Sequence, residues 1–315
     1  MIGKANKSTH IFINDAEQFE KRYPYMSTKT NDRKSLLMYV SSMLIFGSIG
    51  VFRRFIPLSS EFLAFARGLI GGLFLIAFVK LKTGKVRFHL SSQQFLWLVI
   101  SGAVIGVNWI MLFEAYTYTT IATTTLCYYM APIIVLIVSP ILFREKLTTR
   151  KIICAVIAII GMILVSGILD GHSAGDQNMR GVLLALSAAL LYAIVVIINK
   201  KLVGIDAFEK TIVQLLSAGI VMVPYLLLTN GFGGGEWNTL TVVLLLIVGL
   251  VHTGISYALY FGSTDGLKAQ TIAIFSYIDP VAAMLFSAVF LHEIPDIAGV
   301  IGAIMILGSA IVSEL

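Results

Sequence analysis

Apolar positions in this chain fall in long, nearly unbroken runs instead of recurring at a helical or strand period. Ile152 to Val165, Val182 to Ile198 and Leu240 to Val251 are three of them. A helix needs about 20 apolar residues to cross some 30 Å of hydrocarbon. Reading the runs between charged or turn-rich links predicts ten spans. The first five are Leu36 to Phe52, Phe62 to Val79, Phe95 to Glu114, Ile121 to Phe143 and Ile152 to Leu169. The second five are Gly181 to Asn199, Thr211 to Thr229, Leu240 to Gly262, Ala269 to Leu291 and Ile297 to Val312. The pattern predicts an all-α polytopic membrane protein, with Arg67 lodged inside its second span.

Composition agrees with the pattern: 57% of the 315 residues are hydrophobic and 13% charged, and the mean hydropathy is +0.89. Soluble domains carry about 25% charged residues. A pI near 9.2 raises the question of nucleic acid, but the basic residues sit in short links between apolar runs, with no basic helix or aromatic-basic module. Cys127 and Cys154 both lie in apolar segments and read as buried free thiols, without metal or disulfide spacing. Residues 1–34 form a polar, charged tail with no cleavable leader pattern.

Charge asymmetry sets the expected orientation. With the tail in the cytoplasm, the inner links hold Lys80, Lys82, Lys85 and Arg87, then Arg144, Lys146, Arg150 and Lys151, then Lys200, Lys201 and Lys210, and finally Lys268. The outer links hold Arg53, Arg54 and Arg180. Both termini are therefore expected in the cytoplasm, in the inner (plasma) membrane.

A shift of 148 residues pairs two long stretches without a gap. Gly106 meets Gly254, Phe113 meets Phe261, Thr123 meets Thr271, and Tyr129 meets Tyr277. Pro132 then meets Pro280, Ser139 meets Ser287, and Glu145 meets Glu293. The matches fall on residues that shape or break helices, where a chance match among apolar segments would favour Leu, Ile and Val. Because each repeat holds five spans, an odd number, the second must enter the membrane inverted. The expected organisation is a tail (1–34), a first repeat (35–169) and a second repeat (180–314). Inverted repeats of this kind expose a central site alternately to the two sides of a membrane.

Two helix-end blocks carry a family resemblance. One runs from Pro132-Ile133-Ile134 through Ser139-Pro140 to Arg144-Glu145-Lys146, followed by a helix with Gly161. The other runs from Asp279-Pro280 to His292-Glu293, followed by a helix with Gly302 and Gly308. Together with Ala64-Phe65-Ala66-Arg67 in the second span, they make residues 36 to 313 resemble the EamA-type family of the drug/metabolite transporter superfamily. The resemblance implies ten helices in two repeats, a central cavity, and transport of small metabolites, often export. Gln214 looks like the counterpart of Arg67 in the seventh span.

Several polar residues in the spans are candidates for the chemistry, because polar side chains in hydrocarbon usually face the bundle interior. Pro132 and Pro280 each free a carbonyl one turn earlier, near Tyr128 and Ser276, and either kink the helix at a cavity or serve packing alone. Asp279 could hold a substrate amine, carry a proton, or bond a local carbonyl; the first repeat has Ala131 there. Arg67 and Glu114 are expected at similar depth, as an ion pair or with Arg67 capturing a substrate carboxylate. His252 could relay protons or be a hydrogen-bonded core histidine. Asn108, Trp109, Tyr128, Tyr129, Tyr192, Asn199, Gln214, Tyr257, Tyr260 and Tyr277 complete the candidate lining, offering stacking, cation–π contact and polar tips. Glu145 and Glu293 read as anions at the start of the following helix, and Trp237 as an interfacial anchor. Gly68/Gly72 and Gly102/Gly106 read as packing faces.

Neither a Walker phosphate loop nor a nucleophile elbow is present, and no cofactor is expected. The expected function is secondary transport, by export, of small organic metabolites, amino acids among them. Proton coupling through Asp279 or His252 and uncoupled facilitation both fit. The competing readings are an intramembrane enzyme on lipid-linked substrates and a facilitator or channel.

Overall fold

The computed structural model describes residues 32–85, 88–143, 148–165, 176–202, 204–228, 231–232, 235–264, 267 and 269–314. The charged tail up to residue 31, Glu145 and the Gly233-Gly234 link lie outside them. The described residues form helices joined by short links, without a strand. The helices are α1 (Asp32–Arg54), α2 (Ser60–Thr83), α3 (Ser92–Tyr118), α4 (Ile121–Tyr128), α5 (Ala131–Phe143), α6 (Thr149–Val165) and α7 (Asp176–Lys201). They continue with α8 (Ala207–Leu228), α9 (Thr239–Gly249), a π-helical segment (Leu250–Ile255), α10 (Ser256–Thr264), α11 (Ala269–Ser276), α12 (Ile278–Leu291) and α13 (Ile297–Glu314).

Local chemistry starts these helices where the sequence allows. Ser59 caps α2 through Phe62 N–H, Ser91 and Gln94 form a capping box at α3, Thr120 caps α4 and Asn238 caps α9. Such side chains satisfy N–H groups that the first turn leaves without intrahelical partners.

Every one of the ten predicted spans has a helical counterpart, but three are not continuous α-helices. The fourth breaks at Tyr129-Met130, between α4 and α5, and the ninth at Tyr277, between α11 and α12. The cause is the proline two or three residues further on, which cannot donate the helical bond of the preceding turn. The eighth carries six π-helical residues in its middle. By length and composition, six stretches suffice to cross a membrane: Arg33–Arg54, Ser60–Thr83, Ser92–Tyr118, Asp176–Asn199, Ala207–Leu228 and Thr239–Thr264. The fourth, fifth, ninth and tenth spans are made of shorter helices.

The strongest pairings join the first five spans to the second five: α3 with α7 and α8, α6 with α13, α2 with α8 and the π-helical segment, α1 with α12 and α10, and α4 and α5 with α7. Exchanging the halves maps this set onto itself. The third and sixth spans, for example, exchange with the eighth and first. The main apolar core lies where α2, α3, α8 and α9 meet, around Leu63, Leu75, Phe113, Ile212, Leu215 and Val248.

Small residues make the close crossings. A Cβ on Gly161 would stand 2.8 Å from the Gly302 carbonyl, and one on Gly302 would stand 2.5 Å from that of Gly161. α6 and α13 thus touch backbone to backbone. The Gly68/Gly72 and Gly102/Gly106 pairs of α2 and α3 both press on α8, around Gln214, Leu215, Leu216 and Ala218.

The links segregate to two ends. One end, here the Arg54 face, gathers the close of α1, the start of α2, the α3–α4 link and the end of α12. The other, the His89 face, gathers the start of α3, the end of α7 and the start of α8 around Leu98, Leu202 and Val213.

Candidate functional site

The two helix breaks meet each other. Pro132 and Pro280 stand in the first turns of α5 and α12, not in mid-helix. Pro280 leaves the Ser276 carbonyl without its helical donor. The Tyr129 hydroxyl, from the break in the fourth span, donates to that carbonyl at 3.2 Å. The same hydroxyl lies 2.8 Å from Oδ2 of Asp279. The Tyr129 and Tyr277 rings, equivalent in the repeat, stand 6.1 Å apart. One hydroxyl has one proton to give. Both bonds therefore stand together only when Asp279 supplies the proton for its own; an ionised Asp279 competes with Ser276 for the proton of Tyr129.

Aromatic residues surround this junction. Tyr128 and Tyr192 lie 5.5 Å apart, Phe46 packs edge-on against Tyr257 at 5.2 Å, and Tyr39 meets Tyr260 at 5.4 Å. The Tyr39 hydroxyl donates to the Ile272 carbonyl of α11 at 3.0 Å. Tyr192 retains 42% exposure although it packs on Tyr128. Asp279 is within electrostatic range of the Tyr39, Tyr116, Tyr192 and Tyr257 hydroxyls.

A second polar centre forms around Arg67. Its guanidinium lies 4.0 Å from the Trp109 ring centroid and 5.4 Å from that of Phe113. Its Nε donates to Oγ1 of Thr253 at 3.1 Å. Thr253 belongs to the π-helical segment and bonds the Val248 carbonyl five residues back, as the wider turn of that segment allows. His252, on the same segment, sits 2.9 Å from Oγ of Ser48 and packs edge-on against Phe52. Tyr116 and Tyr257 lie within electrostatic range of both Arg67 and Asp279.

The expected ion pair between Arg67 and Glu114 is not formed. Glu114 instead accepts from Oγ of Ser60 at 2.7 Å, and Ser60 accepts from Nη2 of Arg53 at 3.1 Å. The reason is depth. Ser60 opens α2, and Arg67 lies seven residues further along it, about 10 Å deeper at 1.5 Å per residue. Glu293 also differs from expectation. It serves the N-terminus of α4, accepting from Ile121 N–H at 2.9 Å, and pairs with Arg54 at 2.8 Å. Arg54 bonds the Thr119 carbonyl as well, so this knot fastens α1, α4 and α12 on the Arg54 face.

Two other candidates tie helices together. Gln214 donates to Oγ of Ser101 at 2.7 Å and Oδ1 of Asn199 at 2.8 Å, tying α8 to α3 and α7. Asn108 donates to the Ala188 carbonyl and accepts from the Tyr128 hydroxyl at 3.4 Å. Trp237 packs edge-on against Phe62 at 5.3 Å near the Arg54 face. A groove of about 570 Å³ opens elsewhere, between Leu90 and Phe95 and the α8 residues Ile212, Leu216 and Ile220. It contains none of the candidate residues. Tyr39, Phe46, Ser48 and Thr253 escaped the sequence reading because each is an ordinary apolar-helix residue until its neighbours are known.

A helical membrane protein whose broken helices meet over a carboxylate has the form of a solute transporter. The comparisons agree. The model of the EamA-like transporter family matches residues 33–167 and again 179–314, and the chain belongs to that family. An uncharacterized transporter of Bacillus subtilis (strain 168), YxxF, is 30% identical over 290 residues, 90% of each chain. A biotin transporter of Escherichia coli (strain K12) is 24% identical over 220 residues, 68% of this chain and 72% of its own. The protein PecM of Dickeya dadantii is 26% identical over 272 residues, 83% of this chain and 85% of its own. A crystal structure superposes with a TM-score of 0.63 at 19% identity, over 90% of this chain and 98% of its own, a likeness of fold.

Proposed function

We propose that this membrane transporter is a secondary carrier, exporting small organic solutes by alternating access around the junction of its two broken helices. The observation that carries the reading is the reach of Tyr129, in the first half, to both Ser276 and Asp279 at the break of the second. A contact of this kind lets rearrangement of one half be felt at the break of the other.

The two halves, residues 35–169 and 180–314, are read as inverted repeats. The register of 148 residues and the exchange-symmetric helix pairing support this. The excess of Lys and Arg in alternate links supports a plasma-membrane carrier with both termini in the cytoplasm and the Arg54 face outside. The Arg54–Glu293 knot then closes the outer side. Proton coupling enters through Asp279: protonated, it lets Tyr129 keep its bonds to Ser276 and to the carboxyl together, while ionised it competes with Ser276 for the one hydroxyl proton. Solutes of metabolite size, amino acids among them, fit a lining of Tyr128, Tyr192, Tyr257 and Tyr277, and the name of the biotin transporter keeps small carboxylic metabolites in the class.

The test is efflux from proteoliposomes loaded with a mixed metabolite pool, followed by mass spectrometry at several pH gradients. Selective, saturable efflux by the wild type that Asp279→Asn abolishes or uncouples from pH supports the reading. Efflux unaltered by that substitution removes Asp279 from the mechanism.

A further inference from the structure

We infer that Arg67 is the docking point for a carboxylate of the transported solute, at the junction of α2, α3 and the π-helical segment. The inference rests on the carrier reading above and adds the chemistry of the cargo. Arg67 is only 4% exposed, about 10 Å along α2 from Ser60 at 1.5 Å per residue. A buried cation normally acquires an acidic partner, because burial strips its hydration. The two ion pairs among the described residues, Arg54–Glu293 and His89–Glu209, leave Arg67 without one. Glu114 is engaged by Ser60.

Of the five N–H donors of the guanidinium, the Nε donor alone has a protein acceptor among the described residues, Oγ1 of Thr253. Stacking on Trp109 holds the fork flat but neutralises no charge. The Nη nitrogens bond no acceptor among the described residues and are not wholly sealed, as the partnerless Nε of Arg53 and Oγ1 of Thr124 are, so they keep a small accessible surface. A planar fork with free donors, fixed by a ring on one side and a hydroxyl behind, is the geometry that receives a carboxylate in bidentate fashion. Tyr257, within electrostatic range of both Arg67 and Asp279, would lie near the body of a solute so anchored. The two centres then divide the work, with the anion held at Arg67 and the proton at Asp279.

The experiment is thermal stability of the purified full-length protein in detergent, titrated with benzoate, phenylacetate, indole-3-acetate and biotin, each against its own amide. Carboxylates are expected to raise the melting temperature, with the amides at least about tenfold weaker because they offer no charge to the fork. Arg67→Gln should erase the difference between acid and amide, and Arg67→Lys should keep part of it. Without ligand, Arg67→Gln should melt at or above the wild-type temperature, since it deletes an uncompensated buried charge. A clear fall there would make Arg67 a structural cation and overturn the inference, as would equal binding of acids and amides. Stabilisation by none of the acids, in a protein that does transport solute, would overturn it too while the carrier reading stands. Carboxylate binding lost in Arg67→Gln but without any transport would overturn the carrier reading and leave Arg67 a carboxylate site with no cargo role.

Discussion

The hydroxyl of Tyr129 lies 2.8 Å from the carboxylate of Asp279, 150 positions away in the chain. It also donates to the carbonyl that Pro280 leaves without a helical donor. Removing this one oxygen by Tyr129→Phe takes a hydrogen bond from each of two part-buried acceptors. A loss of about 1–3 kcal/mol is expected, since unmade buried bonds carry the desolvation penalty of each group. Reversible unfolding in detergent would read this as a lowered midpoint. In efflux assays the same variant should lose pH dependence along with rate. A variant as stable and as pH-dependent as the wild type would detach Tyr129 from the mechanism.

The Arg54–Glu293 pair predicts unequal effects from its two partners. Arg54 bonds Glu293 and the Thr119 carbonyl, while Glu293 also accepts from Ile121 N–H and the Ser287 hydroxyl. Glu293→Ala should therefore destabilise more than Arg54→Ala. Their double-mutant cycle should show a coupling of only about 1 kcal/mol, because the pair is partly exposed. Equal single effects with no coupling would mean that the knot does not fasten α1 to α12.

At the α6–α13 crossing, Gly161→Val should force apart helices that now touch backbone to backbone. The expected cost is about 1–3 kcal/mol, as for overpacked cores, visible as lowered yield and melting temperature. Gly308→Ala is the matched control, since a Cβ there would meet nothing within 4 Å. A harmless Gly161→Val would contradict the close crossing.

Gln214, bonded to Ser101 and Asn199, is expected to be a tie among α3, α7 and α8. Gln214→Leu should cost about 0.6–2 kcal/mol, the range for interhelical hydrogen bonds in membranes, and should leave the KM for efflux unchanged. A raised KM with unaltered stability would restore Gln214 to the solute site.

Helix number was legible from the apolar runs, because crossing hydrocarbon imposes a length that composition reveals directly. The register pairing Pro132 with Pro280 likewise marked where the fourth and ninth spans break, though not that the breaks abut. That contact is tertiary: nothing local to Tyr129 announces Ser276. The Arg67–Glu114 pair failed for a related reason, as it was judged by depth alone and a difference of seven residues decided it. The π-helical segment at His252-Thr253 had no proline to signal it. It lies at a close crossing with α2, where a Cβ on Gly249 would stand only 2.6 Å from Ile70 and one on Gly254 only 2.5 Å from Phe74.

Counterflow tests the central claim most directly. Proteoliposomes would be preloaded with a solute found in the efflux screen, diluted, and given a trace of the same labelled solute outside. An alternating-access carrier exchanges faster than it moves solute one way, so transient accumulation of label above equilibrium is predicted, lost in Asp279→Asn. Label that only equilibrates, at a rate indifferent to preloading, would show continuous access and contradict the carrier account.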